Sequence, residues 1–243
     1  MSVAGQIATI FELGVGIFIE IIAIQLFLRY RNKKNRSIIL LAIATAIFGV
    51  SAFCSFTARF LVHYLDFVGT ADPTMNYITA LFLNDRLALI CDSLGFLAFY
   101  LFANEVFGVG KSKVLVILMA FFSSTLVVFM FWDPANINLN AICFVCILVY
   151  GLLVTIPIIV RSKRAQTHIE DPIFRIAYSI VRYMTYCFIL TFLMFILDQV
   201  LMGFNLEFNI FYYMGWIFTI LVGLFGYLGY LLPNWFRNII SKK

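Results

Sequence analysis

Glu12, Glu20, Arg59, Asp85, Arg86, Asp92 and Asp198 carry ionisable groups inside runs of sequence that are otherwise apolar. Such groups are costly at membrane depth, so they turn toward a bundle interior, pair there, or line the path of a ligand, ion or proton. Asp85 and Asp92 are seven residues apart. On a continuous helix they would share a face and lie about 10 Å apart along the axis. The stretch that carries them, Leu83–Phe107, also holds Arg86 and Glu105 and is expected to sit centrally, with other helices supplying counter-charges. Glu12, Gly16 and Glu20 recur every four residues, which places both acids on one stripe of the first apolar run.

By depth, Glu12, Arg59, Asp85, Arg86 and Asp198 fall in one half of the membrane, three acids against two arginines. In a low dielectric, groups like these pair or take up protons. They therefore read either as buried ion pairs that fix helix register, or as the walls of a polar cavity for a small molecule or ion. Thr45, Ser55 and Arg59 share a face of the second run; Met184, Cys187, Thr191 and Asp198 share one of the sixth. Both faces are expected to look inward. Glu20 and Asp92 lie nearer mid-membrane and are the candidates for a proton or ion relay. Tyr212 and Trp216, with Phe208, Phe211 and Tyr213, open the last run as an interfacial belt or as a cage for an organic cation.

Other chemistries lack their parts. His63 and His168 are the two histidines and lie in connections on opposite sides, so no run supplies an imidazole for a metal, a haem or a serine nucleophile. Cys143-x-x-Cys146 is a lone pair, two ligands short of a zinc site. No run has a lysine away from its cytoplasmic end, which excludes a covalently attached retinal. No cofactor and no enzymatic activity are expected. The five cysteines all fall in apolar runs and read as small packing residues rather than a disulfide framework.

The elements that must position these groups follow from composition. With 63% hydrophobic and 12% charged residues, the 243-residue chain is far from the soluble average of about 25% charged. A span needs about 20 mainly apolar residues. Seven runs qualify, near 7–28, 37–62, 80–107, 114–132, 141–160, 173–202 and 208–232. The chain is thus expected to be one all-α domain over 1–243, an integral bundle of seven transmembrane helices in the lipid bilayer. The first run is too long for a signal peptide and lacks its basic flank.

All of the 17 Lys and Arg except Arg59 and Arg86 belong to one side of this arrangement. The opposite connections carry Asp66, Asp72, Asp133 and Glu207 and no Lys or Arg. The positive-inside rule then places the amino terminus outside and the carboxyl terminus in the cytoplasm. No block of like charge suggests a nucleic-acid partner. Gly215, Thr219 and Gly223, spaced by four, allow close helix packing within the bundle or a homodimer seam.

The closing segment GYLGYLLPNWFRNII, with Pro233-x-Trp235, resembles the last span of prokaryotic seven-helix sensor modules, the membrane part of sensor histidine kinases. The resemblance covers about fifteen residues. It implies a receptor-like module, and with ten residues after Pro233 the output is expected to come from a separate cytoplasmic partner. The expectation is a plasma-membrane receptor or sensor with an outer-half ligand cavity at Glu12, Arg59, Asp85, Arg86, Asp92, Asp198, Tyr212 and Trp216. The alternatives are a small-solute or proton-coupled transporter using Asp92 and Glu20, and a structural subunit.

Overall fold

The structure is a computed structural model that describes residues 3–65, 73–108, 113–134, 136, 138–202 and 208–241. Asp66, Asp72, Lys111, Glu207, Lys242 and Lys243, which bear on the charge asymmetry, lie outside the described residues. The chain runs α1 (Val3–Lys33), α2 (Arg36–Leu65), α3 (Pro73–Leu83), α4 (Arg86–Phe107), α5 (Lys113–Phe131), α6 (Asn138–Thr167), α7 (Pro172–Met202), α8 (Ile210–Gly226) and α9 (Asn234–Ser241). A π-helical turn, Tyr227–Leu231, extends α8. All of α1, α2, α4, α5, α6, α7 and α8 are long and apolar enough to cross a bilayer. The protein is a multi-pass membrane protein with an all-α fold.

The third expected span, 80–107, is two helices rather than one. The α3 helix stops at Leu83, Asp85 takes a left-handed conformation (φ 54°, ψ 13°), and α4 starts at Arg86. Asn and Asp adopt that conformation more readily than other non-glycine residues, because their short polar side chains bond locally. The Asn84–Asp85 pair therefore breaks a run whose hydrophobicity alone favours continuity. Asp85 is thus the N-cap of the helix that carries Asp92, its carbonyl accepting from the Leu89 amide at 3.0 Å, rather than a residue inside one continuous helix.

Helix contacts close a ring, with α1 against α2, α2 against α4, α4 against α6, α6 against α7, α7 against α8 and α8 back against α1. The α5 helix packs on the outside, against α4 and α6, and turns Ile117, Phe121 and Val128 outward. Ser93 of α4 and Ser123 of α5 join their hydroxyls at 3.0 Å. Covered on both sides, α4 is the most buried of the seven. Its Phe96 is fully buried and meets Phe48 of α2, Tyr150 of α6, and Phe188 and Phe192 of α7 at ring centroid distances of 5.3–6.0 Å. Aromatic pairs at such separations add stabilisation beyond the area they bury.

The small-residue line of α8 is used inside this ring. A Cβ on Gly215 would sit 2.6 Å from the Phe195 ring of α7, and one on Gly223 would sit 3.0 Å from Ile22 of α1. These positions let α8 approach α7 and α1 within the ring.

One end of the ring gathers the start of α1, the end of α2 and the start of α8: Tyr64 donates to Gln6 O at 3.4 Å, and the Tyr212 hydroxyl reaches α1, 2.7 Å from Glu12 Oε1 and 3.4 Å from Ala8 O. The other end is tied shut. Ser37 of α2 hydrogen-bonds Tyr230, the Tyr230 ring lies edge-on to Phe102 at 5.3 Å, and Arg29 donates to the carbonyl of Leu231. That carbonyl is among those a helix end leaves without an intrahelical partner, and a cation is favoured beside them. Leu232, left-handed, and Pro233 then turn the chain into α9, a short helix with Trp235 and Ile239 exposed.

Candidate ligand site at the amino-terminal end of the bundle

Glu12 is the hub of a polar cluster among α1, α2 and α8, fully buried although it is a carboxylate. Its Oε1 accepts from Arg59 Nε at 2.6 Å, from the Tyr212 hydroxyl at 2.7 Å and from Ser55 Oγ at 3.1 Å. Its Oε2 is buried and has no partner among the described residues. A charged acceptor makes such bonds short and strong, and removing one donor would strand charge in a low dielectric. Arg59 is held on its other sides as well. Its guanidinium lies 4.8 Å from the Tyr212 ring centroid and 5.4 Å from that of Phe208, and its Nη2 is 4.0 Å from Asp85 Oδ2. Ser55 also reaches Asp85 Oδ1 at 3.3 Å. A hydroxyl has one proton to give, so Ser55 donates to Glu12 or to Asp85 and not to both.

Asp198, near the end of α7, is buried and accepts from Asn209 Nδ2 at 2.7 Å. Asn209 is also the N-cap of α8, its Oδ1 accepting from the Phe211 amide at 2.9 Å. One amide thus fixes both the start of α8 and the acid beside it. Asn209 belongs to the site and was not singled out by sequence. Its signal was available, since Asn opening an apolar helix is a strong N-cap.

Ser55, Arg59, Asp85, Asp198 and Tyr212 line chambers that share wall residues, while Glu12 lines none of them. The first, about 160 Å³, lies between Arg59, His63, Asp85, Asp198, Phe208 and Tyr212, with exposed Val62 at its rim. A second, about 40 Å³, shares Arg59, Asp85 and Asp198 with it and continues inward to Ser51, Asp92 and Trp216. A third, about 90 Å³, shares Ser51, Asp92, Phe195 and Trp216 with the second and ends at Leu26, Leu41 and Gly226. The third is almost wholly apolar, with Asp92, Ser51, Thr45, Thr191 and Thr219 its polar side chains besides Trp216. The inward faces expected of α2 and α7 are present: Ser55, Met184, Cys187, Thr191 and Asp198 are all buried. Trp216 lines both inner chambers, is 6% exposed, and its indole N–H has no acceptor among the described residues.

Arg86 departs from the expected set. It is fully buried, but it points away from Asp85 into the α5–α6 side, where Nη1 donates to Cys143 Sγ at 2.6 Å and Nη2 to Asn136 O at 3.2 Å. Its Nε has no partner among the described residues. Arg86 lines none of the three chambers, and the near balance of acids and arginines expected there is replaced by three acids around Arg59.

Glu20 is a second departure. It packs half-buried against Gly49 of α2 and lines none of the chambers, while Asp92 lines two of them beside Ser51 and Cys54. No hydrogen bond among the described residues joins Glu20 to Asp92. The aromatic cage is occupied from within, since the faces of Phe208 and Tyr212 hold Arg59.

Cys143, expected as a packing residue, is an acceptor for a buried guanidinium. No group of three or more His, Cys, Asp or Glu among the described residues has the placement of a metal site. No protein-family model, curated protein or solved structure matches the chain.

Proposed function

We propose that the chain is a receptor- or sensor-like protein of the plasma membrane. Its amino terminus faces outside, and it captures a small ligand in the chambers at that end. The observation that carries this reading is the shape of the cavity. Chambers that share lining residues run from the partly exposed Arg59 and Asp85 past Asp92 to Leu26 and Leu41. A row of chambers that turns from polar to apolar suits capture of a small ligand.

The orientation rests on basic residues concentrated at the closed end, among them Arg29, Arg31, Lys33, Arg36, Arg161, Lys163 and Arg164. The resemblance of Gly226–Ile240 to the last span of sensor modules agrees with it, as does the one-sided α9 that follows Pro233. Output would pass through this end to a separate cytoplasmic protein.

A second reading is favoured by one observation: Asp92 stands where the polar and apolar chambers meet, the place for a group that protonates during transport. Reconstitution into liposomes loaded with a pH-sensitive dye separates the two. The receptor reading expects proton flux no faster than in protein-free vesicles. Flux that disappears in Asp92→Asn would overturn it in favour of a proton-coupled transporter.

A further inference from the structure

The α9 helix carries an apolar face that the bundle leaves open. Trp235 and Ile239, four residues apart and so on one side of a helix, are 55% and 54% exposed. Arg237, exposed as well, falls on the opposite side.

The helix before it fixes the level of α9 in the membrane. The last span, Ile210–Leu231, has 22 residues. At 1.5 Å per residue that is about 33 Å, against a hydrocarbon core of about 30 Å. The crossing is therefore complete at Leu231, and Arg29, which donates to the carbonyl of that residue, marks the same level with a charge. Left-handed Leu232 and Pro233 then redirect the chain, so α9 starts among the headgroups instead of carrying α8 onward into water. An apolar face at that depth has acyl chains beside it. A tryptophan there sits where the amphipathic indole is favoured, at the membrane–water interface.

Charge selects the kind of lipid. Arg31, Lys33, Lys34 and Arg36, at the junction of α1 and α2 on the same end of the bundle, are exposed. Neither they nor Arg237 have a carboxylate within 4.0 Å among the described residues. Positive charge left uncompensated beside an interfacial helix attracts anionic headgroups.

We propose that α9 is an interfacial anchor. It lies along the leaflet at the carboxyl-terminal end of the bundle with Trp235 and Ile239 in the acyl boundary, and anionic phospholipid gathers around Arg237 and the basic α1–α2 junction. The chambers at the other end play no part in this contact, which holds for a receptor and for a transporter alike.

Trp132→Phe with Trp216→Phe leaves Trp235 as the one tryptophan of the full chain. In nanodiscs its fluorescence is expected to be quenched more by phosphatidylcholine brominated near the headgroup than by the same lipid brominated near the chain ends, and to resist aqueous iodide. At equal mole fraction, brominated phosphatidylglycerol is expected to quench at least about twofold more than brominated phosphatidylcholine. Lys33→Gln with Arg237→Gln should lower that ratio. Nitroxide labels on Ile239→Cys and Arg237→Cys, in the chain with its five native cysteines replaced, give the same test should the tryptophan variant not fold. Oxygen should relax the Ile239→Cys label more strongly, and a water-soluble nickel chelate the Arg237→Cys label. Iodide quenching without bromolipid quenching would put α9 in water. Quenching by neither would mean that protein covers the face, whether a second copy or a soluble partner. Equal quenching by the two headgroups, or two labels relaxed alike, would remove the anionic lipid or the one-sided immersion. Each of these results would overturn the proposal.

Discussion

Arg59 and Arg86 lie at the same end of the same bundle, Arg59 partly exposed at the chambers and Arg86 fully buried, and they are held in opposite ways. Arg59 has a carboxylate at 2.6 Å, a second at 4.0 Å and two ring faces. Arg86, deeper, has a thiol and a backbone carbonyl and no carboxylate within 4.0 Å among the described residues. The contrast teaches that counting charges by depth identifies which groups leave the lipid but not which of them meet. Arg59 comes from α2 and meets Glu12 of α1, whereas Arg86 opens α4 and meets Cys143 of α6.

The largest expected effect falls on the Arg59 side. Glu12→Leu leaves a guanidinium in a low dielectric with its nearest acid 4.0 Å away. It should cost about 3–5 kcal/mol in detergent unfolding. Adding Arg59→Met to it should return much of that loss, since the two residues are directly coupled. A Glu12→Leu protein as stable as the parent would break the comparison at its stronger half.

Tyr212→Phe comes next. It removes one of the three donors on Glu12 Oε1 and nothing else of the ring, and a hydrogen bond to a charged group contributes about 1.5–3 kcal/mol. The same unfolding titration measures it, and a double-mutant cycle with Glu12→Gln should show that the two changes are not additive.

Asp85→Val probes the turn between the arginines. A β-branched side chain at φ 54° should cost about 1–2 kcal/mol, whereas Asp85→Gly should be neutral to stabilising in the backbone. Equal stability of the two variants would mean that the α3–α4 break does not fall at Asp85.

The smallest effect is predicted for Arg86→Met, within about 1 kcal/mol of the parent. A buried guanidinium without a carboxylate partner gives up little when an apolar side chain of similar length replaces it. A loss as large as that of Glu12→Leu would show that Arg86 has a counter-charge and would erase the distinction.

The spans were legible in the sequence because a membrane helix is a local signal, about 20 apolar residues in a row, and because inward faces follow from the period of 3.6. Ser55, Thr191 and Asp198 were placed correctly on that basis. The Arg59–Glu12–Tyr212 meeting was legible in part, since depth brought the three to one level but gave no contact.

The break at Asn84–Asp85 was hidden because hydropathy reads composition and not φ. The Asn-Asp dipeptide was the signal that would have shown it. The apolar chamber had no signal at all. It is the space that phenylalanines from three helices leave between them, and no spacing along one helix encodes a gap shared by five. The closing helix α9 is readable in the sequence, with Trp235, Phe236 and Ile239 recurring at helical intervals after Pro233.

Access to the chambers tests the account most directly. With the five native cysteines replaced, single cysteines at Ala58, on the mouth, and Leu41, at the floor, would be exposed to a membrane-impermeant maleimide from either side of sealed vesicles. The account predicts that Ala58→Cys reacts from the side bearing the amino terminus and that Leu41→Cys is inert from the side bearing the carboxyl terminus. An unreactive Ala58→Cys, or a Leu41→Cys labelled through the floor, would contradict it.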